Sequence, residues 1–411
     1  MVGDEPLAVQ AGADALRAGG SAADAVAATY FTLAVTYPVA AGLGGGGICV
    51  MRDPNRETAE SIDFLPRNVR SGGPYAVPGN VRGFALLQSL HGRMAWQSIV
   101  ANGERLATLG FPMSRALAER VATSANIVRL DAGLAKVFMD EAGRLHREGD
   151  ILHNTDLGAS LAMLRTTGAS ALYGGKLGAS LVSYARVQNG PIAPDEFANY
   201  SSTRVAAHMT AIGDQAVFLP AERTGAGKLA ARVFAGLAGR DAASLSSTDV
   251  TASVSETLRG FGVGALPNDL GATGFAAVDD QGQAVACAVT MSGPFGSGRT
   301  AEGTGITLAT APSSSNVGLS VAFLMPVLVS DGQDGAITLA GAGAGGPDAV
   351  ASIFSAAALL KEREAIGQTI DNSAAARSIL QSVNLIACVS GVCHTLADPG
   401  THGMGAAVGG K

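Results

Sequence analysis

Residues 271–298 read GATGFAAVDDQGQAVACAVTMSGPFGSG. Gly274 to Val278 is a small apolar run, Asp279-Asp280-Gln281-Gly282 has turn chemistry, and Ala284 to Met291 is a second β-rich run. Aspartate and glycine accept the backbone angles of a tight reversal, so the pattern predicts two antiparallel strands. A glycine-rich loop, Phe295-Gly296-Ser297-Gly298, closes the unit.

The chain is long enough for two to three ordinary domains or one large layered α/β unit. Hydrophobic residues make up 47% and charged residues 15%, which allows a substantial core. The 55 glycines in 411 residues far exceed the usual share of about 7%. Without collagen periodicity or Ser/Gln tracts, they predict tight turns and close backbone contacts rather than disorder. A net charge of −6 with no basic run excludes nucleic acid as an expected partner. No apolar stretch approaches the roughly 20 residues of a membrane span. The N-terminal MVGDEPLAVQ lacks the basic-then-apolar order of a secretory signal. The expected location is therefore cytoplasmic, or periplasmic if a leader has been removed.

Cysteines stand at 49, 287, 388 and 393. With Ser390-Gly391 as a two-residue turn, Val389 and Val392 form a hydrogen-bonded pair. Cys388 and Cys393 then fall at the next pair, where side chains approach closely enough for a disulfide. Adding His394 and His402 gives a metal reading, but the spacing is not a standard zinc pattern. Ordinary buried cysteines are the default expectation.

Upstream, Leu7 to Ala18 is helix-forming and Gly19-Gly20 ends it. Ser21-Ala22-Ala23-Asp24 has the form of a capping box for a second helix, running to about Val35 and stopped by Tyr37-Pro38. The run Gly42-Leu43-Gly44-Gly45-Gly46-Gly47 precedes a strand-like Ile48-Cys49-Val50-Met51. A phosphate loop must precede a helix and carry Lys-Ser/Thr, so that reading is rejected. Close packing of backbone against a neighbouring layer is expected instead. Ser114 to about Leu266 reads as mostly helical, with Leu229–Leu237 and Thr251–Leu258 as amphipathic examples. Ala265-Leu266-Pro267-Asn268 reads as a linker.

An ordered set of motifs resembles the γ-glutamyltransferases (γ-glutamyltranspeptidases, glutathione hydrolases), members of the N-terminal-nucleophile hydrolases. It begins with AGGSAADAVAATYFTLAVTYPVAAGLGGGG at 18–47 and continues with Val77-Pro78-Gly79, Gly110-Phe111-Pro112-Met113-Ser114 and Asn154-Thr155-Asp156-Leu157. Leu172-Tyr173-Gly174-Gly175 and the run from Ile192 to Tyr200 follow, then the 271–298 hairpin, Gly303-Thr304-Gly305-Ile306, and GAGAGG at 341–346. Ala397-Asp398-Pro399 through Gly403 is similar to the family's last strand. The resemblance is collinear over nearly the whole chain, which is short for the family. It implies a four-layer αββα sandwich with extra helices. It also implies a large-subunit-like region at 1–271 and a small-subunit-like region at 272–411, together forming one unit.

The family's chemistry begins with a threonine that attacks the preceding carbonyl, cuts the chain, and then uses its freed amine as general base for acyl transfer. In the ungapped match this threonine falls on Ala272, which carries no oxygen. Thr273 takes the second threonine's place. A one-residue shift along a strand turns a side chain to the opposite face unless a bulge intervenes. The arginine that grips the substrate carboxylate falls on Leu65, with Arg67 two residues on as a candidate substitute. Paired serines fall on Ala322 and Phe323, and the pocket asparagine falls on Ser292. The acidic stretch is absent, with Ala309-Thr310-Ala311-Pro312 nearby. Thr290 matches the family's hydroxyl near the nucleophile's amine. Gly345-Gly346 match the pair whose N–H groups face the oxyanion, and also read as a simple strand-to-helix turn.

Replacement of one residue in the laboratory would give Ala272 but not the other losses, so divergence is the expectation. Two function classes follow. One is a γ-glutamyltransferase-like enzyme working through Thr273 or on a different amide, glutathione-type γ-glutamyl amides being the family's substrates. The other is a non-catalytic, uncut homologue that serves as a binding or assembly scaffold. Neither implies a cofactor or metal.

Overall fold

The computed structural model describes residues 1–56, 58–237, 247–260, 269–312, 321–359, 383–389 and 391–409. Two antiparallel sheets stack face to face. The first runs in the order Met404–Gly405, Val2–Gly3, Ala272–Val278, Ala284–Thr290, Gly46–Arg52, Glu60–Phe64, Thr203–Ala206. The second runs Val392–Leu396, Val383–Val389, Ile337–Gly343, Met325–Asp331, Gln215–Leu219, His208–Ile212. The helix Ala22–Thr36 packs on the outer face of the first sheet, and Pro347–Leu359 on the outer face of the second. The result is the four-layer αββα arrangement that the resemblance implies.

The hairpin lies at the centre, with Ala272 opposite Thr290 and Val278 opposite Ala284. Strand alternation divides its residues between layers. Phe275 and Ala277 join the core shared with the helices, and Phe275 stacks on Phe84 at 6.1 Å. Ala276 and Gly274 face the second sheet. A Cβ at Gly274 would lie 2.8 Å from Ala342 Cβ, so a hydrogen is all that this crossing admits. The reversal is held by Asp279, whose Oδ1 accepts from the N–H groups of Gln281 and Gln283.

The first helices form as read. Pro6–Arg17 ends at Gly19, which adopts φ 84°. Ser21 and Asp24 make both bonds of the capping box on Ala22–Thr36. Every residue of that helix is buried, and its alanines let neighbouring layers approach closely. The glycine run is packed as expected. A Cβ at Gly44 would fall 2.0 Å from the Thr307 carbonyl oxygen, and one at Gly47 would fall 2.5 Å from that of Ala288.

Two expectations are corrected and one is refined. The segment read as mostly helical from Ser114 is mostly helical among its described residues, but it also contains three strands between Thr203 and Leu219. Their half-buried alternation across a Gly213-Asp214 turn is a strand signal, outweighed in the reading by the helices around it. The last strand is Met404–Gly405, whereas residues 397–403 form a loop and turn. Ordinary buried cysteines give way to two disulfides, Cys49–Cys287 and Cys388–Cys393. Both join directly opposed residues of neighbouring strands, and the second has the anticipated hairpin register. The linker read at 265–268 lies outside the described residues.

Candidate functional site

Ala272 is the first residue of its strand and is 6% exposed. Its methyl belongs to an apolar cluster with Ala288, Leu324 and Ala342, against which Leu65 and Ala344 pack. A cavity of about 190 Å³ adjoins it, lined by Ala272, Ala344 and Gly345 together with Asp4, Arg120 and Asn384. Leu65, two residues before Arg67, is a partly buried side chain on this cluster. At this end the site is hydrocarbon.

The peptide preceding Ala272 is held tightly. The carbonyl oxygen of Gly271 accepts from Met291 N–H at 2.9 Å. Thr290 Oγ1 lies 3.1 Å from the same oxygen and 3.3 Å from that of Leu270, and itself accepts from Ser292 N–H at 2.8 Å. Gly271 sits at φ 60°, where a Cβ would approach the Gly293 oxygen to 2.0 Å. Two donors on one carbonyl is the geometry that stabilises an oxyanion at that oxygen. No hydroxyl at 272 is present to create one.

Thr273 is fully buried, on the opposite side of the strand from Ala272, and its hydroxyl donates to Asp4 Oδ2 at 2.6 Å. Asp4 Oδ1 accepts from Asn384 Nδ2 at 2.6 Å and from Thr401 Oγ1 at 2.9 Å. Asp4 therefore fastens strands of both sheets and the C-terminal segment at the cavity's edge. Gly345 lines the cavity, and Gly346 follows it into the helix Pro347–Leu359, both at positive φ. The pair is thus a strand-to-helix turn whose first residue borders the cavity.

Other candidates stand elsewhere. Arg67 is exposed, stacks 4.6 Å from the Tyr200 ring and donates to the Ser201 carbonyl at 2.6 Å. It borders a surface depression with Asp195 and Asn199, not the cavity beside Ala272. Ser292 is buried at φ 60°, and its Oγ has no hydrogen-bond partner among the described residues. Phe323 is buried in the core between the second sheet and its helices, and Ala322 lies beside Gly225.

Sequence reading passed over Arg120, Asp269, Asp4 and Asn384. Arg120 Nε donates to Asp269 Oδ2 at 2.9 Å, and its Nη2 pairs with Oδ1. Its Nη1 donates to the Ala272 carbonyl at 3.2 Å, and the guanidinium lies 5.2 Å from the Tyr37 ring. Burial pushes the Tyr37 hydroxyl up to about 12, with Arg120 pulling the other way. Asn384 alone carried a signal, as a lone polar residue inside the apolar run VNLIACV. Among the described residues no group of three or more His, Cys, Asp or Glu could hold a metal ion, and no helix is long and apolar enough to cross a membrane.

The architecture matches that of the N-terminal-nucleophile hydrolases. The crystal structure of cephalosporin acylase from Bacillus halodurans superposes with a TM-score of 0.77, over 100% of this chain and 96% of that one, at 16% identity. The sequence profile for gamma-glutamyltranspeptidase matches residues 8–260, and the chain belongs to that family. Scoloptoxin SSD14 of Scolopendra dehaani is 30% identical over 217 residues, covering 49% of this chain and 38% of the toxin. The glutathione hydrolase proenzyme of Bacillus subtilis is 30% identical over 220 residues, covering 48% of this chain and 37% of that proenzyme. The matched part is thus well under half the length of these relatives.

Proposed function

We propose that this protein is a γ-glutamyltranspeptidase-family member that has given up threonine chemistry and works as an uncut, non-catalytic scaffold. One observation carries the reading: Ala272, at the position matched to the nucleophile, is packed among Ala288, Leu324, Ala342 and Leu65. Both self-cleavage and acyl transfer need an oxygen there. The matched changes at 65, 322 and 323 are to apolar residues as well, and Arg120, the guanidinium that does line the cavity, is already paired with Asp269. The cavity of about 190 Å³ is also smaller than the ~300–1,000 Å³ usual for ligand pockets.

Residues 1–271 and 272–411 are proposed to correspond to the family's large-subunit and small-subunit parts. This is supported by their interleaving in one sheet, where Val2–Gly3 and Gly46–Arg52 flank the 272–290 hairpin. A second reading, amide hydrolysis through Thr273, is favoured only by the 2.6 Å contact of its hydroxyl with Asp4. Intact mass after reduction, together with hydrolysis of a γ-glutamyl anilide, tests both. A single mass and background hydrolysis are expected. Fragments divided near 272 would end the scaffold reading.

A further inference from the structure

Cys49 and Cys287 stand opposite one another at the centre of the first sheet, 238 residues apart in sequence, and both are fully buried. Cys388 and Cys393 join the two strands of a hairpin one pair from its turn, and Cys393 is exposed. No cysteine is left unpaired. We infer that the Cys49–Cys287 bond is a covalent staple between the two halves of the chain, made while the protein folds in an oxidising compartment. Any cut between them, including one at 271–272, then leaves the halves linked. The inference does not rest on the non-catalytic reading above.

The burial difference carries the argument. Thiol–disulfide exchange requires a thiolate to reach a sulfur in line, and access sets its rate. Once the sheet has closed, Cys49 and Cys287 are beyond that reach from solvent. Their bond must therefore form as the strands pair, while an oxidant is present. Each bond takes two electrons and two protons from a thiol pair and delivers them to a disulfide-bearing oxidant, which leaves as a dithiol. Compartments that supply such oxidants lie outside the reducing cytosol. The Cys388–Cys393 bond, with one sulfur at the surface, can open and close in the folded protein.

The test uses the full chain directed to the bacterial periplasm and, in parallel, kept in the cytosol. Periplasmic protein is unfolded with an alkylating agent and no reductant, then digested and mapped. Peptides bearing Cys49 and Cys287 should be linked, whereas alkyl groups on both would overturn the staple. Native protein treated with a water-soluble phosphine should take alkyl groups at Cys388 and Cys393 only. Equal labelling of Cys49 and Cys287 would refute the protection argument. After limited proteolysis between residues 50 and 286, the halves should co-migrate without reductant and separate with it. Separation without reductant would also count against the staple. Cytosolic protein should be digested at least tenfold faster. Folded cytosolic protein with free thiols at 49 and 287 and equal resistance would overturn the compartment inference.

Discussion

Restoring the missing oxygen separates self-cleavage from glutamyl recognition. In Ala272→Thr, the new hydroxyl would sit beside the Gly271 carbonyl, whose oxygen already has donors at 2.9 Å from Met291 and 3.1 Å from Thr290. The two added heavy atoms border the 190 Å³ cavity, so the strain should stay at the low end of the ~1–3 kcal/mol typical of overpacking. We expect the purified variant to cut itself, giving fragments 1–271 and 272–411 by intact mass after reduction. Removing one oxyanion donor typically costs about 2.7–4 kcal/mol, or about 10²–10³ in rate. Adding Thr290→Val to the variant should therefore slow cutting by that factor. Hydrolysis of γ-glutamyl-p-nitroanilide should stay at background if, as proposed, Leu65 stands in place of the carboxylate-binding arginine. A folded Ala272→Thr that remains one mass would refute the assignment of Thr290 and Met291 as oxyanion donors. A variant that hydrolysed the anilide would show that the other pocket changes are immaterial.

Thr273→Val removes a buried hydrogen bond to a carboxylate, which should cost about 1.5–3 kcal/mol by urea denaturation. Any residual amide hydrolysis should be unchanged, and its loss would support Thr273 as nucleophile. Gly274→Ala places a methyl 2.8 Å from Ala342 Cβ and should destabilise by about 1–3 kcal/mol; an unchanged melting temperature would contradict the close sheet contact. Burial raises the Glu5 carboxyl above its ordinary value of 4.5, against hydrogen bonds from Thr36 and Ala8. The folded state therefore holds that proton more tightly than the unfolded state does. Glu5's favourable contribution is complete below 4.5 and is lost as pH rises through the folded value. Glu5→Gln keeps an oxygen for both donors and should flatten the decline in stability above that pH. An unaltered pH profile would show that Glu5 does not titrate this way.

Much of the frame was legible because it rests on short-range rules. A serine three residues before an aspartate caps the second helix, Asp-Asp-Gln-Gly turns the hairpin, and a fixed period of two sets its register. The Val389/Val392 hairpin register, with the cysteines one pair further out, was readable for the same reason. The strands between Thr203 and Leu219 had their own alternation but stood among helices, and local pattern gives no weight to the sheet that recruits them.

The sequence by itself determined the family, the layered architecture and the lack of a hydroxyl at 272. Each follows from residue identity in order along the chain. Only the tertiary structure decided what surrounds that alanine. Asp4 and Asn384 are 380 residues apart and hydrogen-bonded, Cys49 and Cys287 are 238 apart and bonded, and Arg120 reaches across to Asp269 and the Ala272 carbonyl. Arg67, close to Leu65 in sequence, turns away to Tyr200. Contacts of this kind depend on how two sheets stack and which face each side chain takes, and no local spacing encodes that.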